Sequence, residues 1–140
     1  MKRTKPIDVW VGKEEDFQVQ AMRYLRHRLA VDGVPQQAIM HIPNGGKYAH
    51  PRIAAKMKQA GVVAGYPDIM VFHQSMIQDT DVSCWGQFWC GMALELKVWP
   101  NKPQDTQTAV HEVLADAGWM VRVCYSMGEV EDAVAEYFGA

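Results

Sequence analysis

"GMALELKVWP", residues 91–100, is an apolar run that carries an acid and a base two positions apart. With the residues before it, "FWCGMALELKVW" (88–99) reads as a strand, and a strand displays alternate residues on opposite faces. Glu95 and Lys97 therefore share a face, while Leu94, Leu96 and Val98 point the other way into a core. Upstream on the charged face stand Gly91 and Ala93, which are small and leave room. An amphipathic strand with a solvent-facing ion pair has the same pattern, because E-x-K is a common triplet. The rest of the chain must decide between the two.

On either side the hydrophobic periodicity alternates between helix and strand. From about Glu14 to Val31, Phe17, Ala21, Leu25 and Leu29 recur every fourth residue, and "DGVP" (32–35) stops the helix. "QAIMHIP" (37–43) reads as a short strand followed by the turn "NGG" (44–46). "HPRIAAKMKQAG" (50–61) reads as a helix with Pro51 in its first turn, Gly61 as its stop, and Ile53, Met57 and Ala60 as a buried stripe. "PDIMVF" (67–72) is a second strand, separated from the strand at 88–99 by a polar, mixed loop over 73–87. "KPQDTQTAVHEVLADAGW" (102–119) is a helix ended by Gly118, and "MVRVCYS" (120–126) is a fourth strand. Ser126 and Glu129 then form a capping box for a last helix that packs through Val130, Val134, Tyr137 and Phe138. The order αβαββαβα predicts an α/β fold, a mixed central sheet of about four strands flanked by helices.

A chain of 140 residues, 49% apolar and 21% charged, fits one soluble domain with one core. No apolar stretch approaches the roughly 20 residues of a membrane helix. The basic start "MKRTKPIDVWVGKEED" has no apolar h-region of a signal peptide. Cys84, Cys90 and Cys124 are odd in number and contain no CxxC pair, which suits a reducing cytoplasm. The net charge of −2 hides a division. Residues 1–60 hold 11 Lys/Arg against 5 Asp/Glu, and residues 61–140 hold 3 against 11. A basic half can track phosphates and an acidic half can hold cations, although a solvated surface can divide this way by chance.

Asp68 gives the E-x-K triplet a partner. "GYPD" sets an acid at the head of "IMVF", on a strand able to pair with 88–99. Carboxylates on adjacent strands can converge on one hard cation such as Mg²⁺, which takes oxygen ligands and keeps several waters. A water so acidified is a nucleophile, and Lys97 beside it could orient that water or neutralise developing charge. Asp is also a frequent turn cap, so Asp68 has that plainer use as well. Gln107 lies in phase with Val110 and Leu114, either hydrogen-bonded inside or aimed at a site. Glu14 and Gln18 are in phase with Met22 and Leu25, and an acid in a first helical turn is favourable on its own account.

In order, Glu14-x-x-Phe17-Gln18, "HIPNGGK", "AGVVAGYPDIMVF", "LELK" and Gln107 resemble the VRR-NUC (virus-type replication-repair nuclease) branch of the PD-(D/E)xK nucleases. The resemblance spans about residues 14–126 of a single domain, with 1–13 as an N-terminal extension and 73–87 as a loop insertion. It implies a restriction-endonuclease-like core and a Mg²⁺- or Mn²⁺-dependent endonuclease that hydrolyses phosphodiester bonds. Asp68, Glu95, the main-chain carbonyl of Leu96 and Glu14 would bind metal, with Glu15 competing for the place of Glu14. Lys97 would be the catalytic lysine, and Gln107 would support the lysine or the scissile phosphate. Asn44, Lys47 and Gln18 would brace the site or touch DNA.

Compact relatives suggest a homodimer acting on branched DNA such as Holliday junctions, in DNA repair or a phage setting, within a bacterial or phage-infected cytoplasm. A generic duplex or restriction-like nuclease and a non-cutting DNA-binding module of the same fold are the alternatives. In the insertion, Trp85, with Phe88 and Trp89 after it, suits base stacking or, more ordinarily, packing. His73, Cys84 and Cys90 lack zinc-ligand spacing. His50 and His111 read as structural or surface residues, and His41 as the histidine nearest the site.

Overall fold

The structure is a computed structural model that describes residues 2–43, 50–76 and 88–139. Helix α1 (Glu14–Ala30) leads through a short 3₁₀ turn (Gln36–Ala38) into β1 (Ile39–His41). Helix α2 (Pro51–Gln59), β2 (Ile69–Val71), β3 (Ser75–Met76), β4 (Phe88–Trp89) and β5 (Gly91–Leu96) follow. Helix α3 (Asp105–Asp116), β6 (Trp119–Cys124) and α4 (Met127–Phe138) complete the chain. Four strands form a mixed sheet in the order β1-β2-β5-β6. The first two pairings are antiparallel and β5 with β6 is parallel, so α3 is the crossover that a parallel pair requires. The expected mixed four-strand α/β architecture is therefore met.

The two faces of the sheet are covered unequally. Ile69, Val71, Met92, Leu94, Leu96 and Met120 form the main core with Phe17, Leu25 and Leu29 of α1 and Val130, Val134 and Tyr137 of α4. On the other face Met70 and Ala93 meet Leu114 of α3, with Tyr66, Val110, Trp119 and Val121 around them. The smaller cluster leaves the end of that face open, which is where β5 carries its charges. The 2–13 segment packs back on the domain: Trp10 stacks on Phe17, and its amide donates to the carbonyl of Tyr125 at 2.7 Å.

Several local expectations are revised. The single strand at 88–99 divides at Cys90. Phe88 and Trp89 leave the main sheet to pair with Ser75 and Met76, so the two ends of the 73–87 insertion meet in a two-stranded sheet. Residues 77–87, with Cys84 and Trp85, lie outside the described residues. Gln37 and Ala38 belong to the 3₁₀ turn, which shortens β1. Helix α2 has no buried stripe: Ile53 and Met57 are 50% and 40% exposed, and Ala60 is exposed too. Its apolar side instead turns Ala54 and Met57 towards a cleft. Val98 lies beyond the end of β5 and is only half-buried. The room beside Gly91 is already filled, because a Cβ there would stand 2.4 Å from the Trp119 ring. Among the described residues no helix is long and apolar enough to cross a membrane.

Candidate active site

The register of β2 against β5 sets Ile69 opposite Leu94, and one step further it sets Asp68 opposite Glu95. Side chains of facing residues share a side of the sheet, so the two carboxylates point the same way as Lys97. Glu95 is fully buried and Asp68 is 9% exposed. The Leu96 amide donates to Asp68 Oδ2 at 2.8 Å, which ties the head of β2 to the end of β5. Lys97 Nζ stands 3.7 Å from Glu95 Oε1. This pair is not the solvent-facing one that an amphipathic strand would display, since its lysine is 12% exposed and its glutamate not at all.

Gln107 is oriented by the start of its own helix. The Gln104 amide donates to Gln107 Oε1 at 2.8 Å, so the carboxamide NH₂ is left to donate to Glu95 Oε1. Gln107 therefore braces the Glu95 carboxylate. Gly65 makes this approach possible: a Cβ there would lie 2.5 Å from the Thr106 carbonyl, and its φ of +95° is one that L side chains rarely adopt. The "AGYPD" loop is thus pressed onto the first turn of α3, which brings Asp68 and Gln107 to one carboxylate.

Burial raises the pKa of Glu95 to about 8, the charge of Asp68 adds to this, and Lys97 offsets part of it. Asp68 is raised chiefly by burial, against the opposing pull of the Leu96 amide and Lys97. Glu14, at the start of α1, is raised by burial, lowered by Lys97 and raised by Asp68. Glu14 and Glu15 both line the cleft, but the interactions with Lys97, Asp68 and Glu95 are those of Glu14. Gln18 meets the ring of His41, and His41 Nδ1 donates to the Asp68 carbonyl at 2.8 Å. His41 is therefore at the site, as its place in the sequence suggested. Asn44 and Lys47 lie outside the described residues.

These groups open into a cleft of about 790 Å³. Glu14, Gln18, His41, Asp68, Lys97 and Gln107 line it, together with Met57, Lys58, Val62 and Val63. Sequence reasoning missed the part of α2 in this lining, because α2 looked like a core helix. It also missed Gln104, although a Gln three residues before Gln107 is the spacing of a capping box.

The donor set suits a hard divalent cation. Glu95 Oε2 is buried with no hydrogen-bond partner among the described residues, beside a second carboxylate whose charge it must bear. A cation between the two would satisfy the free oxygen and relieve the repulsion. Among the described residues no three His, Cys, Asp or Glu side chains converge as a metal cluster. Two carboxylates supplemented by main-chain oxygen and water remain a suitable set for Mg²⁺.

Fold and site together define an α/β protein with two carboxylates, a lysine and a glutamine gathered at the open end of a mixed sheet. A solved structure described as "VRR_NUC domain protein" has this fold. It is 23% identical and superposes at a TM-score of 0.70 over 94% of this chain and 92% of that one. No family model and no curated protein matches the sequence.

Proposed function

We propose that the chain is a Mg²⁺- or Mn²⁺-dependent nuclease acting on DNA, with Asp68 and Glu95 as its metal-binding side chains. The observation that carries this is the buried Oε2 of Glu95, unpartnered among the described residues, with the Asp68 carboxylate close by and Lys97 beside it. The likeness in fold to a VRR_NUC domain protein supports the same reading. A bound cation supplies positive charge against the developing charge on phosphate and lowers the pKa of a water. The chain's own residues do the rest. Lys97 directs its ammonium into the cleft, where it neutralises charge on the scissile phosphate. Gln107 holds Glu95 by one oxygen and leaves the other for the cation. Glu14 adds negative charge at the cleft mouth, and the Leu96 carbonyl is a further oxygen donor. His41, with Gln18 beside it, braces the main chain at Asp68, and Lys58, which lines the same cleft, offers a phosphate contact.

In this reading the substrate is branched DNA and the working unit a homodimer. Each chain carries one site, and paired cuts across a junction need two sites at fixed geometry. The test is a cleavage panel of linear, flap and four-way DNA with Mg²⁺, Mn²⁺ or EDTA. Metal-dependent cutting that prefers the four-way substrate is expected. Equal cutting of all three favours a generic duplex nuclease, and cutting in EDTA defeats the metal assignment. The second reading is a DNA-binding module of the same fold that does not cut. Its signature is a gel shift in EDTA with no product on adding metal.

A further inference from the structure

Outside the active cleft, a second groove of about 490 Å³ is lined by Val19, Arg23, Arg26, His27, Ala30 and Gln36. The first five belong to α1, at spacings that gather them on one side of the helix, while Phe17, Ala21, Leu25 and Leu29 turn the other side to the core. Gln36 enters from the 3₁₀ turn that follows. No acid lines this groove, whereas Glu14, Glu15 and Asp68 line the active cleft. Other arginines are already engaged: Arg28 pairs with Asp32, Arg122 pairs with Glu136, and Arg3 lies over the Trp99 ring and donates to the Pro100 carbonyl. The exposed side chains of Arg23 and Arg26 have no ion pair or hydrogen bond among the described residues. They stand one helical turn apart, where like charges repel.

We propose that this groove is a second phosphate-binding surface, which holds the DNA backbone where it leaves the active cleft. Guanidinium groups present planar pairs of donors that match phosphate oxygens, and the Gln36 carboxamide adds a neutral donor. The two openings adjoin along α1: Glu15 lines the cleft, and Val19, one turn later, lines the groove. At 1.5 Å per residue, Arg23 and Arg26 stand about 7.5 and 12 Å along the helix from Gln18. That is about two to four nucleotides of one strand at 3.4 Å each. A bound backbone would also relieve the repulsion between the two arginines. The proposal deepens the reading of the chain as a DNA-acting protein and rests on that reading, but not on cutting.

The test is fluorescence anisotropy of the full chain on a linear duplex of about 20 base pairs, in EDTA, from about 50 to 200 mM salt. Arg23→Ala combined with Arg26→Ala should reduce the slope of log affinity against log salt by about 1.8, the value of two phosphate contacts, and weaken binding about 10-fold. Lys at both positions keeps the charge and should restore the slope. Arg28→Ala combined with Arg122→Ala removes the same charge from arginines outside the groove and should leave the slope unchanged. A groove double variant with the wild-type slope, a Lys pair no better than the Ala pair, or a control pair that lowers the slope as much each overturns the proposal. So does light scattering that shows the groove variant splitting an oligomer while its slope is kept, because the groove is then a subunit interface. If the wild-type protein binds the duplex but does not cut it with Mg²⁺, the nuclease reading falls and the same slopes still decide the groove. If it binds no DNA, both fall.

Discussion

Glu95 sets the energetics at the scale of single residues. An isolated ionised carboxylate in an apolar interior is too costly to persist, so the group either stays protonated or acquires a cation. Its pKa of about 8, against an ordinary 4.5, describes the first state. Between those values the native protein binds a proton that the unfolded chain has lost, so metal-free stability falls as pH rises through the window. Asp68, also raised, adds to the same slope. Thermal melts from pH 5 to 8.5 in EDTA should show a falling Tm, and Glu95→Gln should flatten the fall. Mg²⁺ should restore more stability at pH 8 than at pH 6, because it binds the ionised pair. A metal-free Tm that is flat across this range would remove the assignment of Glu95. Asp68→Asn keeps an acceptor for the Leu96 amide while removing charge. It should fold normally yet lose about 10²–10³-fold in cleavage, as should Lys97→Ala, the scale typical of removing one electrostatic contact from a catalytic site.

At the scale of elements, the site depends on how α3 begins and where β5 ends. The cap at Gln104 and the brace on Glu95 use opposite ends of one carboxamide, so Gln107→Ala loses both. A cap is worth about 0.5–2 kcal/mol, so urea denaturation should register a small loss beside a larger loss of cleavage. Gly65→Ala forces a side chain into an unfavourable φ against the Thr106 carbonyl and should cost about 1–3 kcal/mol by the same measurement. An Ala at 65 that leaves stability and cleavage unchanged would mean that the loop is not held where α3 needs it. Leu94, one step from Glu95 on the opposite face, belongs to the main core. Its truncation to Ala should cost about 2–5 kcal/mol by leaving a cavity, with the cleft chemistry altered only through stability.

For the whole molecule, the charge division of the sequence acquires a shape. Acids of the sheet end line one cleft together with Met57 and Lys58 of α2, so a net charge of −2 does not prevent contact with a polyanion. Affinity for DNA should fall steeply with salt, and charge reversal at Lys58 should reduce the slope by about one phosphate contact. Light scattering should find two chains, free or on a four-way junction. Monomer under both conditions would argue against paired cuts.

The sequence by itself determined the four helices and the four strands of the main sheet in their order, but not the β3–β4 pair. Periodicity, turn residues and caps are local, and so are the parities that put Glu95 with Lys97 and Gln107 with Val110. It also determined that Asp68 and Glu95 could meet, because short strands that pair leave few registers. Only the tertiary structure decided which residues complete the site. The hold of Gln107 on Glu95, the Trp119 ring against Gly91 and the approach of Gly65 to Thr106 join segments distant in the chain, and the exposed face of α2 depends on how such segments pack. A hydrophobic pattern records that a side chain is apolar, and not whether its partner is a core or an open cleft. For that reason α2 read as a core helix until the sheet and α3 were set against each other.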